Sequence, residues 1–100
     1  MAENNVKKTE ETQITPGCIR VRVIDEEQGL TQIDNAKAVR IHSKGYVLLI
    51  MKDYSPTLGQ IDGNVIVLVD DREIIFKGVK GCFKHQGNEF VMIIEEEMAD

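Results

Sequence analysis

The chain has no tryptophan, and its aromatics are limited to two tyrosines and three phenylalanines. A core must therefore be built from Val, Ile and Leu, residue types that favour strands. It has no long apolar run either. Val47–Met51 is far too short to span a bilayer, and "MAENNVKKTEETQ" lacks the apolar centre of a secretory signal. The expected location is cytoplasmic, with no membrane insertion. Basic residues are outnumbered: twelve Lys and Arg face seventeen Asp and Glu, for a net charge of −5. That balance disfavours nucleic acid as a partner, because binding it relies on cations that displace counterions from phosphates.

Cysteine is scarce. Cys18 and Cys82 form no C-x-x-C pair and cannot complete a zinc site without both histidines. Two free thiols in a reducing compartment are the expected state, with a single disulfide left open. Local catalytic motifs are missing as well. There is no nucleophile elbow, H-E-x-x-H, P-loop or spaced carboxylate pair. The expectation is a protein that is not an enzyme, with no catalytic residue, no cofactor and no metal. Asp53, Asp62, Asp70 and Asp71 lack calcium-loop spacing and read as turn residues.

What is present is a domain's worth of aliphatic residues. Apolar residues make up 42% and charged residues 29% of 100 positions, enough for one compact domain. A domain of this size is stable by roughly 5–10 kcal/mol at best. Residues 1–16 are polar and read as a disordered arm closed by Pro16-Gly17. Residues 17–100 read as a single β-domain.

Within it "CIRVRVID" and "KAVRIHS" alternate as half-buried strands. "YVLLIM" is a continuous apolar run and is expected to be a central strand buried on both faces. "KDYSPTLGQIDG" reads as a long connector. "NVIVLV", "REIIFKGV" and "EFVMIIEEE" are further strands, with "KGCFKH" a continuation or a separate short one. No stretch keeps an apolar stripe at helical spacing. The expected fold is all-β: a small antiparallel β-sandwich or flattened barrel of about seven to eight strands. The expected core is Val21, Val23, Val39, Ile41, Leu48, Ile50, Val65, Val67, Ile75, Phe83, Phe90, Met92 and Ile94.

Two groups of candidate site residues stand out. Lys77, Lys80, Lys84 and His85 make "KGVKGCFKH" locally positive and suited to an anion. Alternation puts Lys80 and Lys84 on one face and Lys77 on the other, unless a bulge at Gly78 or Gly81 shifts the register. Against the anion reading stands the plain one, lysines on a solvated strand. The second group is "DYSPTLG". Asp53, Ser55 and Gly59 resemble the D-x-S-x-x-G run of PilZ cyclic-di-GMP receptors, at a spacing one residue too long. Arg20, Arg22 and Arg40 are present, but not as that family's arginine-rich entry motif. Otherwise Pro56 stiffens a loop and Tyr54 caps the core with its hydroxyl in water.

The second half of the chain resembles the N-terminal β-sandwich of the epsilon subunit of rotary ATP synthases. Gly45 leads into "LLIMKDYSP", where that family has a "GILPNHAP"-like run. Asp62-Gly63 stands for its "PG", "NVIVLV" for its "VVRI" strand, and "GCF" at Gly81–Phe83 for its "GGF". Asn88 and "FVMIIEEEMAD" close the domain. With "IRVRVIDEEQG" as the opening strand, the likeness covers roughly residues 18–100. The chain departs from that family at Tyr54-Ser55-Pro56 and at Cys82, and in having no C-terminal helical hairpin. The resemblance implies a non-catalytic module that docks on another protein, an ATP-synthase-like assembly. Its contact would be the connector, through Asp53, Tyr54, Ser55, Pro56 and Leu58. Two alternatives remain: a domain that binds a small anion or a nucleotide of the cyclic-dinucleotide kind, and a barrel similar to Sm-like RNA-binding proteins. For the last, Gly78, Phe83 and Asn88 fit, whereas Lys84 stands where an Asp is expected and the second motif is missing.

Overall fold

The computed structural model describes residues 16–96. Seven strands follow one another: β1 (Ile19–Asp25), β2 (Gly29–Ala36), β3 (Ala38–Ser43), β4 (Tyr46–Ile50), β5 (Thr57–Val69), β6 (Arg72–Gln86) and β7 (Glu89–Glu96). Among the described residues there is no helix, hence none long and apolar enough to cross a membrane. Apart from Pro16, the expected polar arm lies outside the described residues, as do residues 97–100.

All seven strands belong to one mixed sheet in the order β2-β1-β7-β6-β5-β3-β4. The sheet does not close, and it fits the small sandwich or flattened barrel expected from the pattern. One expectation needs correction: not every pair is antiparallel. β7 inserts between β6 and β1 and runs parallel to β1, with Val21 opposite Phe90 and Val23 opposite Met92.

The two long strands hold the sheet together. The first half of β5 pairs with the second half of β6, alongside β7. The second half of β5 pairs with the first half of β6 and with β3. Between these halves the register shifts. Asn64 alone on β5 stands opposite Lys77 and Gly78 on β6. The Asn64 side-chain oxygen accepts the Gly78 N–H at 2.9 Å, and Gly78 has φ +65°. This is a bulge in which one residue must adopt a left-handed conformation, as glycine does without a Cβ penalty.

The bulge changes which side chains point inward. After it, Val79, Phe83 and His85 face the core; before it, Ile74 and Phe76 do, and Ile75 points to solvent. Ile75, expected in the core, is 56% exposed. The other expected core residues are buried, except Leu48, which is half-buried against the cluster. The Phe83 and Phe90 rings stack with centroids 5.4 Å apart. The Phe83 ring also lies over Gly59 of β5, where a Cβ would come within 2.5 Å of its Cε1 atom.

Two further expectations are corrected. The run "YVLLI" is the edge strand β4, and its Val47 and Leu49 side chains are exposed. A continuous apolar run had implied two covered faces, but β4 is covered only on its inner face. The connector is also shorter than expected, because β5 already begins at Thr57 and only residues 51–56 are loop.

Candidate interaction face

Antiparallel and parallel partners stand side by side across a sheet, so register defines rows of outward side chains. One such row crosses four strands: Leu30 on β2, Ile24 on β1, Ile93 on β7 and Cys82 on β6. All four are exposed. It ends at Gln60 on β5. The next row toward the start of β1 holds Gln32, Arg22, Val91, Lys84 and Leu58. On the opposite side lie Glu95, Lys80 and Asp62 in register, with Glu26 just past β1. The outer face is thus an apolar ribbon with basic groups along one border and a mostly acidic opposite border.

Two shallow grooves follow this ribbon, each of about 410 Å³. One lies between Leu58 and Ile93, over Cys82 and Val91. The other lies between Ile24 and Lys80, over Gly81. They share Cys82 and Ile93. Leu58, 75% exposed, is the most exposed large apolar side chain described. Exposed apolar side chains aligned in one row, rather than scattered singly, are the kind of surface that marks an interaction site.

The residues named from the sequence do not form one cluster. The bulge puts Lys77, Lys80 and Lys84 on the outer face, the condition under which they share a side. Lys80 and Lys84 flank Cys82, whereas Lys77 sits within the bulge. His85 is on the other side of the sheet, fully buried, with no hydrogen-bond partner for either ring nitrogen. Burial holds its pKa below the ordinary 6.5, so a charged His85 does not join the lysines.

The proposed contact loop is also divided. Asp53, at φ +68°, donates its N–H to the Asn88 side-chain oxygen at 2.6 Å. The Tyr54 N–H reaches the Met51 carbonyl at 3.1 Å. The Tyr54 ring packs edge-on to His85 with centroids 6.3 Å apart. The Ser55 carbonyl accepts the Thr57 hydroxyl at 3.0 Å. Pro56, Thr57 and Leu58 line a third hollow with Lys84 and Gln86. Asp53 to Pro56 therefore close the end of the sheet near the Asn88 turn, and Leu58 is the member of that group on the apolar face. Cys18 is buried and Cys82 exposed, both as free thiols. Among the described residues no group of three or more His, Cys, Asp or Glu comes together to hold a metal.

A charged network went unread in the sequence. A bulge in the β1–β2 pairing sets Arg20 against Asp34 and Asn35. Arg20 points outward yet is only 4% exposed. Its Nε donates to Asp34 at 2.9 Å, and its Nη1 lies 3.8 Å from Glu89. Arg22 reaches the same Glu89 at 3.5 Å. An arginine alternating with Val on a strand reads as solvated, and only the bulge reveals its partners. Arg20→Ala should lower stability by about 1–2 kcal/mol, with much of the loss suppressed in Arg20→Lys if packing of the stem dominates. Urea denaturation of the three proteins measures this, and equal midpoints would refute it.

The chain matches none of the protein families and none of the curated proteins with which it was compared.

Proposed function

We propose that the chain is a non-catalytic protein-interaction module that docks through the outer face of β2, β1, β7, β6 and β5. The ribbon of Leu30, Ile24, Ile93 and Cys82, extended by Leu58 and bordered by unlike charges, is the observation that supports this reading. A fitting partner is a protein with an apolar stripe carrying acidic groups on the side that meets Arg22 and Lys84. The resemblance to the epsilon sandwich makes an ATP-synthase-like assembly the class of partner to look for.

The anion-binding alternative has weaker support. His85 is inside, and Lys80 lies in register with Glu95 and Asp62. The test is affinity capture from the source cell by the immobilised full chain and by an Ile24→Lys/Ile93→Lys variant. A protein retained by the first and lost from the second, with unchanged melting temperature, is the expected result. Equal retention by both overturns the docking face. Retained proteins that include no ATP-synthase component remove that identity and leave the module. Saturable amide shifts around Lys80 and Lys84 on adding nucleotides or cyclic dinucleotides would favour the receptor reading instead.

A further inference from the structure

The sheet ends in two edge strands, and they are protected very differently. β2 carries Asp34 with Gln32 and Asn35, and Asp34 is engaged by Arg20. Charged edges discourage pairing with another chain. β4 reads Tyr-Val-Leu-Leu-Ile, without a charge, a proline or a bulge.

The hydrogen-bonding direction on β4 follows from its turn. Lys44 and Gly45 alone join β3 to β4, and Ser43 stands opposite Tyr46. In a two-residue hairpin the flanking pair exchanges both hydrogen bonds. Alternation then makes Ile41–Leu48 and Val39–Ile50 hydrogen-bonded pairs too. The main-chain N–H and C=O groups of Val47 and Leu49 are left pointing to the open edge. Their side chains face outward, 66% and 45% exposed.

We propose that β4 is a pairing edge for a second copy of this chain. Placed antiparallel about Leu48, two β4 strands set Val47 of each copy opposite Leu49 of the other. Each Val47 N–H then meets a Leu49 carbonyl, each Leu49 N–H meets a Val47 carbonyl, and both bonds are made twice by symmetry. The outward pairs are apolar on apolar, and Tyr46 faces Ile50 on the inner side. This self-match of an uncharged strand argues for a second copy over an unrelated segment. The pairing consumes both β4 edges; the β2 edge carries Asp34, and the stretch of β6 that β7 does not cover carries Arg72, Glu73 and Lys77, so the assembly closes at a dimer. The proposal uses a different surface from the docking face and does not depend on it.

Sedimentation of the full chain tests the proposal, with Val47→Pro as the decisive variant. That substitution removes an N–H bonded to nothing within one copy, a site where an edge strand tolerates proline. The expected results are a dimer for the native chain and a dissociation constant raised about thirtyfold for Val47→Pro, two hydrogen bonds being lost. Leu49→Lys, which keeps every main-chain bond, should also dissociate the pair and serves if the proline variant does not fold. In the native chain the Val47 and Leu49 amides should exchange more slowly as concentration rises. A native chain that stays monomeric at its highest soluble concentration overturns the proposal. So do folded variants that dimerise as well as the native chain, or edge amides whose exchange ignores concentration.

Discussion

Gly81→Ala should unfold the domain. A Cβ built at Gly81 lies 1.9 Å from the Ile93 carbonyl oxygen and 2.9 Å from the Ile94 Cα. Both are backbone atoms of β7, in the centre of the sheet. No rotamer change relieves that clash, so β6 and β7 must separate where Gly81 pairs with Ile94. The loss should exceed about 4 kcal/mol, most of the margin of a domain this small. Gly63→Ala belongs in the same class, with its Cβ 2.1 Å from the His42 carbonyl oxygen of β3. Gly59→Ala should be milder. Its obstacle is the Phe83 ring, which can tilt, and overpacking of that kind costs about 1–3 kcal/mol. Gly87→Asn is the control. Gly87 has open space around it and φ +62°, a conformation asparagine tolerates, so the loss should stay below about 1 kcal/mol. Circular dichroism melts of the four variants rank them. A Gly81→Ala protein that melts with the native chain would show that the two strands do not approach so closely.

These glycines also show where sequence reading succeeds and where it stops. Alternation in β1, β3 and β7 identifies the inward residues, because a strand with one buried face writes its period into the sequence. Val21, Val39 and Met92 are buried for that reason. Asp62-Gly63 and Gly59 looked like loop because glycine weakens a strand. Here Gly63 is required by the close passage of β3, and Gly59 by the ring of Phe83, both set by distant parts of the chain. Ile75 was misplaced for a related reason. The bulge at Gly78 flips the parity of everything before it on β6, and a bulge is a property of two strands together. The edge position of β4 was hidden because strand order is not local information.

The candidate face was only partly legible. Leu58 and the lysines were visible as residues, and Lys80 and Lys84 shared a parity. The ribbon itself was not, because it runs across strands and joins residues as far apart as Ile24 and Ile93. The burial of His85 did carry a signal: it has the parity of Phe83, two positions earlier, and only its proximity to Lys84 suggested an exposed cation.

That buried imidazole leads to the second large effect, a loss of stability on mild acidification. Desolvation lowers the folded-state pKa of His85 below 6.5, so the folded protein holds it neutral while the unfolded chain takes up a proton near pH 6.5. Where the unfolded state binds more protons, stability falls as pH falls. The contribution is fully present above about pH 6.5. Below that it declines by about 1.4 kcal/mol per pH unit, until the folded imidazole itself becomes charged. Charging it would place a cation beside the Phe90 and Tyr54 rings with no acceptor for either N–H. The total loss is set by how far burial lowers the folded-state pKa, because the decline ends where the folded imidazole takes up its proton. His85→Leu removes both unpaired nitrogens at similar volume. It should be more stable than the native chain by about 1 kcal/mol at neutral pH, with the gap widening steadily on acidification. Urea midpoints from about pH 7.5 to about pH 4.5 measure the gap. The carboxylates titrate in both proteins and cancel in the difference, and His42, exposed on β3, stays in both. A gap that stays constant down to the lowest pH would mean that His85 finds a partner when protonated, and that the core tolerates its charge.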